Sequence, residues 1–189
     1  LMVSAVCLGG HWKRMGSALK RPFSSAGMGI DKAAFDAIKE GDFIQNRREV
    51  VSRCIESGIN YLDACTAPEI MAYSQALRGR RDKMYFGYSW PFREPRHQEW
   101  RSTKKLLEGL DQGLQEAGLD YVDVWRISMP MEGIADLDEL LRGEEATVRG
   151  LEEAKKQGMA RFTGVSTHNR IWLKSMIETY PNQMEVVLF

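Results

Sequence analysis

The sequence predicts an α/β fold built on a parallel β-sheet. From residue 46 onward, short runs rich in β-branched and aromatic residues alternate with segments of helical period, which is the pattern of consecutive βαβ units. Most of these runs are strongly apolar, as strands buried on both faces of a sheet require. Strands are predicted over residues 3–8, 60–64, 83–89, 122–128, 161–166 and 185–189.

Helices with recognisable ends separate these strands. Asn46 is suited to cap a helix that runs through Glu56 and stops at Gly58. Further helices are predicted over residues 102–117, 151–157 and 171–180, each followed by Gly or Pro.

One stretch, residues 13–45, interrupts the alternation. Gly, Ser and Pro are frequent early in it, and a short helical piece over residues 31–39 follows. We interpret the stretch as an irregular insertion or excursion. The length of the chain suits one domain, so we expect a single domain over residues 1–189.

Composition limits the kinds of partner. Lys plus Arg and Asp plus Glu both number 26, so the net charge of zero gives no electrostatic reason to expect nucleic acid or an anionic membrane. We expect a small or weakly charged ligand. No apolar run approaches the roughly 20 residues of a transmembrane helix, and no signal peptide is visible. Three cysteines without CxxC spacing argue against a disulfide framework or a cysteine-bound metal and favour a reducing, cytoplasmic setting.

Separate stretches of the chain resemble one family in the same order. They are residues 3–10 (VSAVCLGG), 58–64 (GINYLDA), 76–83 (ALRGRRDK), 120–125 (DYVDVW) and 150–166, which begins GLEEAKKQG and ends GVS. Together they are similar to the aldo-keto reductases. The alternative of an open doubly wound sheet is weakened because no GxGxxG turn follows the first strand.

The resemblance implies a parallel (β/α)8 barrel of the TIM type. On this alignment the first six β/α units are present and the barrel is incomplete. An open remnant would leave apolar strand edges unpaired, so we expect either a longer native chain or a partner that completes the sheet.

The resemblance also implies a reaction. In this family a nicotinamide cofactor, NADP or NAD, gives a hydride to a carbonyl, and a tyrosine supplies the proton. A lysine paired with an aspartate lowers the pKa of that tyrosine, and a histidine orients the carbonyl. The aspartate matches Asp63, but the tyrosine position is Pro68, and the lysine and histidine positions are Ser89 and Ser128. The usual relay is therefore expected to be absent. Tyr73 is expected to pack in a helix.

Other residues are candidates for the remaining roles. The Ser-Asn pair that follows strand five in the family appears as Ser166-Thr167, which are predicted to bind the cofactor. His168 follows directly and is a candidate replacement acid, because an imidazole titrates near neutral pH. The family's phosphate-binding loops follow strands seven and eight, which this sequence does not include.

Charged and aromatic side chains are also predicted at the mouth of the barrel. By alternation along its strand Arg126 points inward, and we hypothesise that it pairs with Asp63 or with another, unidentified group. His11, Trp12 and Trp90 are predicted to line a ligand pocket, with covering of the barrel rim as the alternative. His11, His168 and Asp63 lack a compact motif, so no metal site is predicted. The charged loop 93–97 is expected to be solvated.

These expectations leave three functions open. The first is an aldo-keto-reductase-type protein that acts on or binds a small carbonyl ligand without the Tyr/Lys/His relay. The second is an active NAD(P)H-dependent reductase in which His168 is the acid. The third is a non-catalytic barrel that serves as a subunit or scaffold.

Overall fold

The computed structural model describes residues 2–10, 39, 41–128, 131 and 134–189. The chain forms two compact units, Leu1–Phe86 and Gly87–Phe189. Most of the insertion predicted over residues 13–45, including the helical piece predicted within it, lies outside the described residues.

The described part of the first unit contains two parallel strands, two α-helices and the start of a further strand. Strand β1 is Leu8–Gly9 and β2 is Tyr61–Ala64, with Leu8 opposite Leu62 and Gly9 opposite Asp63. Helix α1 spans Gly41–Glu56 and α2 spans Ala67–Ala76. A short 3-10 helix, Arg81–Lys83, leads into strand β3, Tyr85–Tyr88, whose first residue Tyr85 donates its backbone N–H to Asn60 O at 2.7 Å.

Two predicted boundaries in this unit are wrong. The first strand was expected over residues 3–8, but only Leu8 of that range lies in β1. Upstream, Ser4 and Asn60 join through side chains instead of a backbone ladder: Ser4 N donates to Asn60 Oδ1 at 2.7 Å and Asn60 N donates to Ser4 Oγ at 3.1 Å. Helix α1 begins at Gly41, five residues before the expected cap Asn46, whose Oδ1 accepts a hydrogen bond from the Arg47 side chain instead.

The second unit begins within strand β3, at Gly87, and contains the strands that follow it. Strand β3 is Tyr85–Tyr88, β4 is Val122–Ser128, β5 is Ala160–Ser166 and β6 is Val186–Leu188. Within this unit β4 pairs in parallel with β3 and with β5, and β5 pairs in parallel with β6. The strands β5 and β6 approach closely at Gly164, where a Cβ atom would lie 1.7 Å from Val186 O.

Three helices connect the strands of this unit. Helix α3 is Thr103–Ala117, α4 is Leu137–Lys156 and α5 is Arg170–Thr179. Each begins at a side-chain cap, because Ser102, Asp136 and Asn169 each accept a hydrogen bond from a backbone N–H in the first turn. Gly118 ends α3 in the left-handed region, with φ of 64°.

Helix α4 is much longer than the predicted helix over residues 151–157. Gly143 and Gly150 weaken the helical pattern in the sequence, but both lie in close contact with side chains outside the helix. A Cβ at Gly143 would lie 2.4 Å from the Met131 side chain, and one at Gly150 would lie 3.3 Å from Leu106 Cδ1.

The parallel α/β fold predicted from the sequence is confirmed. Six strands alternate with helices, and every described pairing is parallel. Strand β4 has the predicted bounds, and β5 differs from its prediction by one residue. Within the described ranges, no helix is long and apolar enough to cross a membrane.

Candidate functional site

Polar side chains collect where strands β3, β4 and β5 of the second unit end. Ser89 follows β3 directly, and Ser128 and Ser166 are the last residues of β4 and β5. The parallel register sets Ser128 opposite Ser166. The carboxyl ends of parallel strands share one edge of a sheet, which is where α/β proteins usually bind ligands. We call these three serines, together with Glu94, Arg96 and Arg126, the polar cluster.

Glu94 links the ends of β3 and β4. Its Oε1 atom accepts hydrogen bonds from Ser89 Oγ at 2.9 Å and from Trp90 N at 2.7 Å. Its Oε2 atom accepts from Ser128 N at 2.7 Å. The side chain is 1% exposed, so its carboxylate is satisfied by protein donors rather than by bulk water.

Burial raises the pKa of Glu94 above its ordinary value. Desolvation is the largest cause, because the charged carboxylate loses water contacts in the interior. The hydrogen bonds from Ser128, Ser89 and Trp90 and the charge of Arg126 act in the opposite direction without cancelling it.

Arg126 is the buried cation of the polar cluster. Its side chain is 3% exposed, and Nη1 donates to Ser166 Oγ at 2.6 Å. Its charge is the one that acts on Glu94. A buried guanidinium needs such an anion and such acceptors, since an unpaired charge is costly to bury. The predicted pairing of Arg126 with Asp63 stays a prediction.

Arg96 approaches the same edge from the loop that follows β3. Its Nη2 atom donates to Ser128 Oγ at 3.1 Å and to Ser128 O at 3.3 Å. The side chain is half-buried, and its Nε atom is buried without a hydrogen-bond partner. Ser128 therefore contacts both a carboxylate and a guanidinium.

The loop over residues 93–97 was expected to be solvated, and this is wrong for Glu94, which is buried. His97 is also partly covered: its ring stacks on Phe92 with centroids 5.6 Å apart, and its Nε2 atom is buried. Sequence analysis missed Glu94 as a site residue. Its position five residues after Ser89, directly beyond an apolar strand, is the signal that could have identified it.

In the first unit, Asp63 lies near the end of β2. It is half-buried, and Tyr61 donates its hydroxyl to Asp63 Oδ1 at 3.4 Å. Gly10 fits closely here, since a Cβ on it would lie 2.9 Å from Asp63 O and 2.5 Å from Glu69 Oε2. Glu69 also accepts from Cys65 N at 2.9 Å and is buried.

Helix α2 contains both the position where the resemblance implies a tyrosine and the tyrosine nearest to that position. Pro68 is buried in the first turn of this helix. Tyr73 is 1% exposed and accepts a hydrogen bond from Arg47 Nη1 at 3.3 Å, which confirms its packing role. Burial is the largest cause of the raised pKa of Tyr73.

The other predicted site residues have different surroundings. Thr167 is 4% exposed, and its Oγ1 accepts from Asn169 N at 3.0 Å, whereas His168 is exposed. Trp90 is 7% exposed, with the Arg93 guanidinium 4.0 Å from its ring centroid. His11 and Trp12 lie outside the described residues. The catalytic, cofactor and pocket roles of all these residues stay predictions.

Metal ligands do not converge in the part of the chain that the structure describes. No group of three or more His, Cys, Asp or Glu side chains there is arranged to hold a metal ion.

The strands, helices and polar cluster define a parallel α/β protein, and comparisons with known proteins show what it resembles. The chain is 26% identical over 162 residues to the aldo-keto reductase AKR2E4 of Bombyx mori, across 78% of this chain and 50% of that protein. No family model matches the chain. The chain is related to the aldo-keto reductases, as the resemblance implied.

Solved structures support the fold. An aldo-keto reductase from Klebsiella pneumoniae in complex with NADPH superposes with a TM-score of 0.63 at 18% identity, over 98% of this chain and 53% of that one. The Bombyx mori AKR2E4 structure, in complex with NADP, gives a TM-score of 0.60 at 17% identity, over 96% of this chain and 52% of that one. The chain thus spans about half the length of the proteins it matches.

Proposed function

We propose that this chain is part of a protein of the aldo-keto reductase type that binds NADP(H) and a small carbonyl ligand without the family's usual proton relay. The observation that carries this proposal is the polar cluster, in which Ser89, Ser128 and Ser166 meet at the carboxyl edge of β3, β4 and β5. NADPH and NADP in the two related structures support the choice of cofactor.

The residues at the end of β5 fit a nicotinamide carboxamide. The Ser166 hydroxyl accepts from Arg126 Nη1 and keeps its own proton for donation. Thr167 accepts from Asn169 N and likewise keeps a proton. Both side chains are almost fully buried, which would exclude water from a ligand held there. When bound, the cofactor supplies the hydride of this family's chemistry.

The chemistry of the polar cluster explains why conventional catalysis is not part of the proposal. Ser89 and Ser128 occupy the positions that the resemblance gives to the lysine and the histidine. The Ser128 hydroxyl can donate to a carbonyl oxygen, whereas Ser89 already donates its hydroxyl to Glu94, and neither can lower the pKa of a phenol. The Glu94 carboxylate already accepts from Ser89 Oγ and from Ser128 N, so the polar cluster supports ligand binding more directly than proton transfer.

Thermal unfolding of the full-length protein with NADPH or NADH tests the proposal. A ligand at 100 times its Kd stabilises the native state by about 2.7 kcal/mol, so we expect NADPH to raise the Tm by several degrees. Ser166→Ala should reduce that rise, because the carboxamide loses a donor. Ser175→Ala, which changes an exposed serine on α5, is the matched control and should not.

The lack of any nucleotide effect on thermal unfolding would contradict the proposal. If neither nucleotide changes the Tm of the wild-type protein, the nicotinamide function is wrong and a non-catalytic subunit or scaffold becomes the better explanation. If NADPH binds and is not consumed in the presence of carbonyl compounds, binding without conventional reduction is supported.

Exposure of His168 supports a second candidate, an active reductase with an altered acid. The imidazole lies two residues after Ser166, at the end of the strand proposed to contact the cofactor, and solvent can exchange protons with it. Carbonyl-dependent NADPH oxidation that falls at least about 100-fold in His168→Ala, the usual range for a lost general acid, would favour this candidate. Unchanged turnover in that variant would exclude it.

A further inference from the structure

The guanidinium of Arg96 differs from the other arginines of its loop in its charge partners. Arg93 pairs with Glu116 at 2.7 Å, and Arg101 pairs with Glu139 at 2.6 Å. Arg96 makes no ion pair with any residue that the structure describes; its protein contacts are the neutral oxygens of Ser128. Among the residues that the structure describes, the positive charge of Arg96 therefore has no carboxylate partner.

The charge balance of the polar cluster leads to the same conclusion. It contains Arg96, Arg126 and a single carboxylate, that of Glu94. The guanidinium that acts electrostatically on Glu94 is Arg126 and not Arg96, so Glu94 does not neutralise the charge of Arg96. Half-burial makes that charge more costly than one in open water, and an anion that reached it would lower the cost.

One terminal nitrogen of Arg96 is not buried and can meet such an anion. Its Nη2 atom is fixed by Ser128, and its Nη1 atom makes no hydrogen bond within the described residues and is not among the buried atoms. An accessible amino group on an anchored guanidinium is a preorganised donor for a carboxylate. The neighbouring hydroxyls of Ser128 and Ser166 can bind neutral oxygens of the same molecule.

We propose that Arg96 binds a carboxylate group of the ligand, so that the ligand class is a carbonyl compound that also carries a carboxylate. The carbonyl part rests on the function proposed above, while the carboxylate part rests on Arg96 alone. A monoanion suits this position because a single guanidinium supplies the charge. The competing assignments are a purely structural arginine that holds its loop on β4 and a cation that contacts a phosphate of the nucleotide.

Matched acid and ester ligands test the proposal by calorimetry on the full-length protein, with and without NADPH. Pyruvate is compared with methyl pyruvate, and 4-carboxybenzaldehyde is compared with its methyl ester. In each pair the ester lacks the negative charge of the acid. We expect the wild-type protein to bind at least one acid about 10-fold or more tightly than its ester, as a charge-assisted hydrogen bond gives. Arg96→Gln should remove that preference by lowering the affinity for the acid while leaving the affinity for the ester unchanged. Arg96→Lys should keep part of the preference.

Controls separate binding from folding. Arg142→Gln removes the same charge from an exposed position on α4 and should keep the full preference. Thermal unfolding of each variant shows whether it is folded, and Arg96→Lys provides the comparison if Arg96→Gln is not.

Several results would overturn the proposal. The first is that the wild-type protein binds neither acid more tightly than its ester, and the second is that Arg96→Gln keeps the preference of the wild-type protein. The third is that Arg96→Gln weakens the binding of acid and ester equally, and the fourth is that it weakens the binding of NADPH instead of the acid. The last would assign Arg96 to the nucleotide phosphate. An Arg96-dependent acid preference without any NADPH binding would support the carboxylate site and contradict the nicotinamide function, so the two proposals fail independently.

Discussion

Glu94 and Ser128 are 34 positions apart in the chain, yet Glu94 Oε2 accepts the backbone N–H of Ser128 at 2.7 Å. The other carboxylate oxygen accepts from Ser89 Oγ and Trp90 N. One buried side chain thus fixes the end of β3 relative to the end of β4. The position of Ser89 and Ser128 in the polar cluster depends on this carboxylate.

Removal of that carboxylate should destabilise the protein. In Glu94→Ala the donors on Ser89, Trp90 and Ser128 lose their acceptor inside the protein, and each unsatisfied buried donor costs about 1–3 kcal/mol. Allowing for partial relaxation, we expect the free energy of unfolding to fall by about 2–4 kcal/mol in urea titrations. Glu99→Ala, at an exposed position in the same loop, should change it by less than about 0.5 kcal/mol. Equal stabilities of the two variants would contradict a linking role for Glu94.

The raised pKa of Glu94 predicts a pH dependence with a definite sign. The folded state binds this proton more tightly than the unfolded chain, whose glutamates titrate near the ordinary value of 4.5. The contribution of Glu94 to stability is therefore greatest below that value and is lost as the pH rises through the folded pKa. Urea unfolding at a series of pH values from below 4.5 upward should show this loss of stability in the wild-type protein and not in Glu94→Gln. If the two pH profiles are parallel, the pKa of Glu94 is not raised.

Close packing of α3 on the end of β3 predicts the effect of a small substitution. A Cβ at Gly113 would lie 1.9 Å from Tyr88 Oη and 3.1 Å from Trp90 Cε3. Gly113→Ala should lower the free energy of unfolding by about 1–3 kcal/mol through overpacking, although alanine favours helices. Gly41→Ala, at the open start of α1, should not be destabilising. A neutral Gly113→Ala would show that the packing is looser than these distances indicate.

Tyr88 should tolerate the loss of its hydroxyl. The Oη atom is buried, and no described residue is its hydrogen-bond partner. Burial raises the pKa of Tyr88, so the phenol is neutral at any ordinary pH. Tyr88→Phe removes an unsatisfied polar atom and should raise the free energy of unfolding by up to about 1 kcal/mol. It should also relieve part of the Gly113→Ala defect, which a double-mutant cycle measures. A large loss of stability in Tyr88→Phe would reveal a bonded hydroxyl.

Arg80 should stabilise the packing of α1 on α2 in the first unit. Its guanidinium donates to Arg48 O at 2.7 Å, to Ser52 Oγ at 2.5 Å and to Ala76 O at 3.0 Å. Arg80→Ala should lower the free energy of unfolding by about 1.5–3 kcal/mol, as expected for hydrogen bonds from a charged group. The exposed Arg78 gives the control, because Arg78→Ala removes the same charge and should have little effect.

Local patterns allowed the central strands to be predicted well. β4 was predicted at its observed bounds, because its β-branched and aromatic residues give a strand signal even though Asp123 and Arg126 lie among them. β1 was predicted poorly, since residues 3–7 have a strand-like composition but bond through the Ser4 and Asn60 side chains. The first half of α4 was missed because Gly143 and Gly150 serve tertiary packing rather than local helix propensity.

Local patterns in the sequence were enough to predict the alternating order of strands and helices and the ends of β4 and β5. The family resemblance, together with the predicted strand ends, assigned Ser89, Ser128 and Ser166 to the carboxyl edge of the sheet. That Glu94 and Arg96 join these serines became clear from the folded structure. These two side chains lie in a loop whose composition resembles a solvated segment, and its path over β4 depends on burial and hydrogen bonds to residues more than 30 positions away. Such long-range contacts leave no local pattern in the sequence, which is why Arg126 could be predicted from strand alternation whereas Glu94 and Arg96 could not.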